Sequence, residues 1–330
     1  MKTRFAVLAL LLVVVCIPRF QMWDPGPVGR LAAGAKSGPW GHPIDVEGYE
    51  RLVQYFRGAA PADSMIAPFC FRPLAPAVAS VIPAPPGVAI NLVNIASLLL
   101  VLLVLERIGL LAGLGSRGRW AAGLLFTLSF PTFYYGAIGF IDPVAILFAS
   151  IFLLLTLQGS GLLLLIPALV LAVLAKETNA VLALLPLAGA YAGGRWNREA
   201  FLDAVVLLAT AAGTYILVRA AEPFPGQDVV WLPSLAAAAE NLSRPRTYLS
   251  LALTIGLPGA LAGLALATGR AKATLTAPSL RVLATGTMLA GLLYAYSIFA
   301  AYTDGRILWI AYPCLAPIAA AWWEGVRTKK

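Results

Sequence analysis

One pattern runs nearly from end to end of this chain. Apolar runs close to the roughly 17–25 residues that a helix needs to cross a hydrocarbon core of about 30 Å alternate with short polar turns. Of the 330 residues, 60% are apolar and 12% charged. That charge content is about half the usual share and cannot clothe a water-soluble body of this size. A cytosolic globular enzyme is excluded, and so is a disordered chain. The net charge of +9 is scattered between apolar runs and forms no basic stripe, which argues against nucleic acid as a partner. The expectation is an all-α, polytopic membrane helix bundle in which residues 1–330 form a single transmembrane domain.

Candidate spans fall near 5–21, 88–106, 120–139, 143–158, 161–176, 178–194, 200–221, 248–269, 280–300 and 306–325. That makes about ten transmembrane helices, with Lys176-Glu177-Thr178-Asn179 alone dividing the fifth from the sixth. Lys2 and Arg4 precede the first apolar run, but no small-x-small cleavage site follows it. It therefore reads as a retained span rather than a signal peptide. With the N-terminus inside, thirteen Lys and Arg residues fall on the inner side and five on the short outer loops. This asymmetry predicts cytoplasmic N- and C-termini in a plasma (inner) membrane. Residues 22–87 become the first extracytoplasmic loop, and most of the isolated ionisable residues near span ends fall on that outer side.

Inside this loop, Tyr49, Leu52, Val53 and Phe56 recur at helical spacing, with Glu50, Arg51, Gln54 and Arg57 opposite. The pattern predicts a helix of about 46–57 lying on the membrane surface. A second short apolar stretch, about 73–82, ends at Pro83, Pro85 and Pro86 and is too short to span. Asp45 and Glu47 precede or open the first of these helices. Two carboxylates there can act as a general base and a positioning partner, or as an N-cap and a first-turn acid favoured by the helix dipole. His42, the one histidine, and Asp24 lie upstream in the same loop.

Other polar residues mark the outer ends of spans. Asp142 before Pro143 fits an N-cap followed by proline at the first helical position. An acid in so apolar a setting equally suits a cavity wall. Lys176 and Glu177 can line a cavity or simply mark a turn. Arg306, after Asp304-Gly305, can bind a phosphate through a charge-assisted fork or anchor the helix at the headgroups. Arg72 is a second phosphate candidate. Trp309, Trp322 and Trp323, with Trp196 and Trp231, read as interface anchors. Asn241-Leu242-Ser243 is a formal glycosylation sequon. Cys16, Cys70 and Cys314 define no disulfide framework or metal site.

Taken together, the motifs resemble the GT-C superfamily of polyprenyl-phosphate-sugar-dependent glycosyltransferases, in its protein O-mannosyltransferase and aminoarabinose-transferase branch. The similar features are Asp45-Val46-Glu47 beside two surface helices in the first outer loop, and Ile141-Asp142-Pro143 ahead of an apolar span. Leu174-Ala175-Lys176-Glu177 followed by Leu184-Leu185-Pro186, and Arg306 with Pro313, complete the likeness. The chain departs from the family in lacking a C-terminal soluble domain.

The resemblance implies an inverting transfer of a sugar from a polyprenyl-phosphate donor to an acceptor hydroxyl on the extracytoplasmic face. The acceptor would be a glycan, a lipid or a protein. Asp45 and Glu47 would be catalytic; Asp142, Lys176, Glu177, Arg306 and Arg72 would bind substrate. A divalent cation is left open as a cofactor. Two further readings stand beside this one: a multi-spanning transporter or lipid flippase, and a non-catalytic membrane assembly subunit.

Overall fold

The computed structural model describes residues 2–20, 44–192, 198–221, 224, 232–300 and 303–324. His42 and Asp24 lie outside these residues, as do Trp196 and Trp231. The described residues form α-helices and short 3-10 segments, with no strand among them. In chain order the helices are α1 (Lys2–Cys16), α2 (Ile44–Phe56), α3 (Leu74–Ser80), α4 (Pro86–Leu111), α5 (Ser116–Thr127), α6 (Phe130–Tyr135), α7 (Asp142–Leu157) and α8 (Leu162–Ala175). A 3-10 segment, Glu177–Leu184, leads into α9 (Leu185–Ala192). Then come α10 (Arg198–Ala221), α11 (Leu235–Ser243), α12 (Pro245–Ala267), α13 (Arg270–Thr274), α14 (Ala277–Ala300), a 3-10 turn Gly305–Ala311 and α15 (Tyr312–Glu324).

Among the described residues, five helical stretches are long and apolar enough to cross a membrane: α4, α10, α12, α14 and the continuous segment Gly305–Glu324. Two further apolar helices, α7 and α8, are shorter. The chain is thus a helical bundle of the kind an integral membrane protein builds, and several of the expected spans are shorter or more broken than a uniform 20-residue helix. Local sequence explains the ends. α4 stops where Gly113 adopts φ 94°, with Leu114 N donating to Gly109 O and Gly113 N to Leu110 O. This double bond pattern closes a helix on a left-handed residue that glycine adopts without strain. α7 ends the same way at Gly159, with φ 68°.

Lipid is as apolar as leucine, so the bundle is held by close packing and internal polar contacts rather than by expulsion from water. Ala316 and Ala320 of α15, four residues apart, are fully buried and let the backbone pack close to α5 and α12. A side chain at Gly123 would meet Leu8 of α1, and one at Gly286 would meet the Cys314 sulfur at 2.4 Å.

Backbone breaks inside the bundle are satisfied by side chains, as burial in an apolar medium demands. In α12, Gly256 is non-helical and Pro258 removes a helix donor. The Thr254 carbonyl so freed accepts instead from the Tyr312 hydroxyl at 2.6 Å. The expected division at Lys176-Glu177 is a turn at which the chain reverses, so that Asn179 lies against Ala172 and Pro186 near Leu165. α8 ends at Ala175, Lys176 is extended, and a 3-10 segment continues. The buried Asn179 amide donates to Ala145 O and Ala172 O and ties the turn to α7 and α8.

The two surface helices expected in the first loop are α2 and α3. α2 buries Tyr49, Leu52 and Val53 of the predicted stripe and Val46 besides, while Phe56 is half-buried. Arg57, placed by its spacing on the solvated face, instead donates to Ser80 O and Ile82 O and caps the end of α3. Two other expectations change with the packing. Trp309 is fully buried, so it is a core residue rather than an interface anchor. Asn241 is buried too, its amide donating to Ile298 O and accepting from Thr303 N, which leaves the sequon without an accessible acceptor nitrogen. The three cysteines are free and buried.

Candidate functional site

The polar loops segregate to the two ends of the bundle. At one end lie the short turns that carry Arg4, Arg107, Arg117, Arg119, Arg198, Arg270 and Arg281. Arg4 of α1 donates to Ser116 O across the chain, Arg119 pairs with Glu106, and Arg270 donates to Trp322 O. At the other end meet the N-termini of α2, α4 and α7, the break after α8 and the start of the Gly305–Ala311 turn. The functional candidates gather there.

Arg306 is the hub. Its Nη2 donates to Asp45 Oδ2 at 2.7 Å, and its Nε stands 3.6 Å from Asp142 Oδ2. The Phe140 ring lies under the guanidinium, 3.9 Å from carbon to ring centre. The far oxygen of Asp142 accepts from Lys176 Nζ at 2.6 Å. Beside them Arg72 forms a two-pronged pair with Glu177, with Nε–Oε2 at 2.7 Å, and donates through Nη1 to the Tyr49 hydroxyl at 2.7 Å. Asp142 and Lys176 side chains are 8% and 12% exposed, whereas Arg306 and Asp45 are 18% and 20% exposed. The Asp45–Arg306 contact is therefore the more accessible of the two. Three cations (Arg72, Lys176, Arg306) face three carboxylates (Asp45, Asp142, Glu177), so the cluster is neutral.

Local structure aims each group. Of the two roles open to Asp142, capping is not the one it takes: Ile141 is the N-cap and Asp142 the first residue of α7, and its carboxylate faces Lys176 and Arg306. Arg306 is fixed from behind. Asp304 Oδ1 accepts from the Arg306 backbone N–H at 2.9 Å and from the Tyr135 hydroxyl at 2.7 Å. Gly305 permits the approach, since a Cβ there would lie 2.2 Å from Ser250 O. The 136–141 loop is pinned by two amides on α4. Asn91 Oδ1 accepts from Gly139 N at 2.7 Å, and Asn94 donates to Phe140 O.

Burial raises both acids outside the spans, and the partner of each decides the outcome. Burial pushes the Tyr49 phenol well above its ordinary value, so the hydroxyl stays neutral. Burial alone would raise the Glu177 carboxyl, but the Arg72 guanidinium outweighs it and holds Glu177 below the ordinary 4.5. Arg72 in turn stays charged despite burial because Glu177 faces it. An ion pair this shielded is costly to break and specifies geometry more than it adds stability.

Of the sequence candidates, Asp45, Asp142, Lys176, Glu177, Arg306 and Arg72 come together. Glu47 does not. It pairs with Arg51 one turn along α2, both side chains about 40% exposed (43% and 40%), because two residues along a helix point about 200° apart. The acidic pair is thus split between two environments.

Several contributors escaped the sequence reading: Tyr49, Asn91, Asn94, Tyr135, Phe140 and Asn179. The asparagines carried a usable signal, since an amide within an apolar run needs a partner inside the protein. The tyrosines and Phe140 carried none, being indistinguishable from core aromatics. Among the described residues no group of three or more His, Cys, Asp or Glu side chains could hold a metal ion. Compared with protein-family models, curated proteins and solved structures, the chain finds no match.

Proposed function

We propose that this chain is a GT-C-type membrane glycosyltransferase that moves a sugar from a polyprenyl-phosphate donor to an acceptor hydroxyl. In this reading the passes between the two ends are ten, α1 through α15 with the Lys176 break counted as a turn. The end that carries Arg4, Arg107, Arg119 and Arg270 faces the cytoplasm, by the charge asymmetry of the short loops, and the Arg306 cluster faces outward.

The observation that carries the reading is Arg306 bridging Asp45 and Asp142, acids 97 positions apart in the chain, at the end of an apolar bundle. A phosphate ester entering the cluster replaces Asp45 on Arg306. The exchange frees the Asp45 carboxylate beside the new anion. Asp45 then takes the proton of the acceptor hydroxyl, whose oxygen forms the new bond to the anomeric carbon from the face opposite the phosphate. The anomeric carbon–oxygen bond breaks, and its electron pair leaves with the polyprenyl phosphate. Configuration at that carbon inverts. Arg306, with Lys176 one carboxylate away, receives the growing charge, and such preorganised cations are typically the largest catalytic contribution. Glu47, held by Arg51, has no part in the chemistry.

The test is transfer by purified protein in vesicles supplied with radiolabelled polyprenyl-phosphate sugar and acceptor. Asp45→Asn is expected to lower the rate by about 10²–10⁴, and Glu47→Gln by less than about threefold, as for an exposed pair. Full transfer by Asp45→Asn would remove Asp45 as the base. The break at Gly256 favours a second reading, a lipid transporter, because discontinuous helices line translocation sites. That reading expects labelled lipid to cross the bilayer with no sugar transferred.

A further inference from the structure

The end opposite the Arg306 cluster holds a feature the transfer reading does not use. Between α1, α4 and α5 lies a groove of about 560 Å³ whose interior is apolar and whose mouth carries Arg4, Arg107, Arg119 and Glu106. Glu106 is taken by Arg119 at 2.8 Å. Arg4 meets only a backbone carbonyl, Ser116 O at 3.1 Å, and Arg107 makes no ion pair among the described residues. Two positive charges at the mouth are therefore unbalanced. The groove wall runs from the buried Leu8 to Leu103, which is 45% exposed.

We propose that this groove is a binding site for an anionic glycerophospholipid of the adjoining leaflet, with its phosphate on Arg4 and Arg107 and one acyl chain along Leu8 and Leu103. The charge balance selects an anionic headgroup over a zwitterionic one. The apolar wall selects a lipid over free phosphate, since phosphate alone would leave that wall uncovered. Basic pockets between membrane helices recognise lipid headgroups in this way.

The test is titration of the purified full-length protein, stripped of lipid, with dioleoyl phosphatidylglycerol or dioleoyl phosphatidylcholine, read by native mass spectrometry. Wild type is expected to bind the glycerol lipid at least about tenfold more tightly. The double variant Arg4→Gln/Arg107→Gln is expected to lose about thirtyfold toward it, at the usual contribution of a basic residue near an anionic headgroup, and nothing toward the choline lipid. Leu103→Trp, which fills the groove, weakens both lipids. Arg107→Gln alone, at an exposed position with no ion pair to break, is the safeguard should the double variant fold poorly, and is expected to lose about fivefold. Equal affinity for the two lipids overturns the proposal. So does an unchanged arginine variant, or competition by glycerophosphoglycerol without chains as effective as by the whole lipid.

Discussion

Removing the charge of Asp142 while keeping its shape tests the cluster most directly. In wild type its two oxygens face Lys176 Nζ at 2.6 Å and Arg306 Nε at 3.6 Å. At an effective dielectric constant of about 20, the Lys176 contact alone corresponds to about 6 kcal/mol of gross attraction and the Arg306 contact to somewhat less. Most of this offsets the cost of taking the charges out of water. What a substitution reports is the penalty of leaving the partners uncompensated. Asp142→Asn leaves Lys176 beside Arg306 and Arg72 with too little negative charge. Truncating one member of a buried pair typically costs about 3–5 kcal/mol, and that is the expected loss here.

The assay is reversible unfolding in mixed detergent–denaturant micelles, followed by tryptophan fluorescence. In the Lys176→Met background the same substitution should cost about 2 kcal/mol less, because one of the two stranded cations has gone; couplings of this size are usual for contacting charges. A loss under about 1 kcal/mol, or strict additivity of the two substitutions, would refute the shared-carboxylate reasoning.

Two further outcomes follow from the same geometry. Gly305→Ala brings a Cβ to within 2.2 Å of Ser250 O, a backbone atom that cannot step aside. It should destabilise by about 1–3 kcal/mol or more and displace Arg306, lowering transfer as well as thermal stability. Gly263→Ala, on the same partner helix but with open space around it, should be neutral or stabilise by up to about 1 kcal/mol; if both alanines behave alike in a thermal-inactivation assay, close approach at Gly305 is not the cause. As for pH, Glu177 is held below its ordinary value of 4.5 by Arg72. A carboxyl with a depressed folded value contributes stability above its unfolded value and loses it as pH falls through the folded one. The melting temperature should therefore hold between pH 7 and about 5, then fall below about pH 4, and Glu177→Gln should flatten that acid limb while lowering stability at neutral pH.

The membrane class and the two short helices of the first loop were legible in the chain itself. Each follows from a local property: run length against bilayer thickness, and apolar spacing along α2. The residues of the cluster were legible one at a time for a related reason. A charge in an apolar surrounding is expensive wherever it sits, so Asp142, Lys176 and Arg306 announced themselves without their partners being known. Partnership is a different matter. Whether Asp45 meets Arg306 or caps its own helix, and whether Glu47 joins it, depends on the angle at which α2 lies on the bundle. That angle is set by contacts such as Gly48 against Phe69 and Arg57 on the end of α3, between residues no spacing rule connects. The break at Gly256 and the inward turn of Trp309 belong to the same kind. A helix continues or breaks, and an indole faces lipid or core, according to which donors and small residues its neighbours offer across the bundle, and only the assembled structure brings those neighbours together.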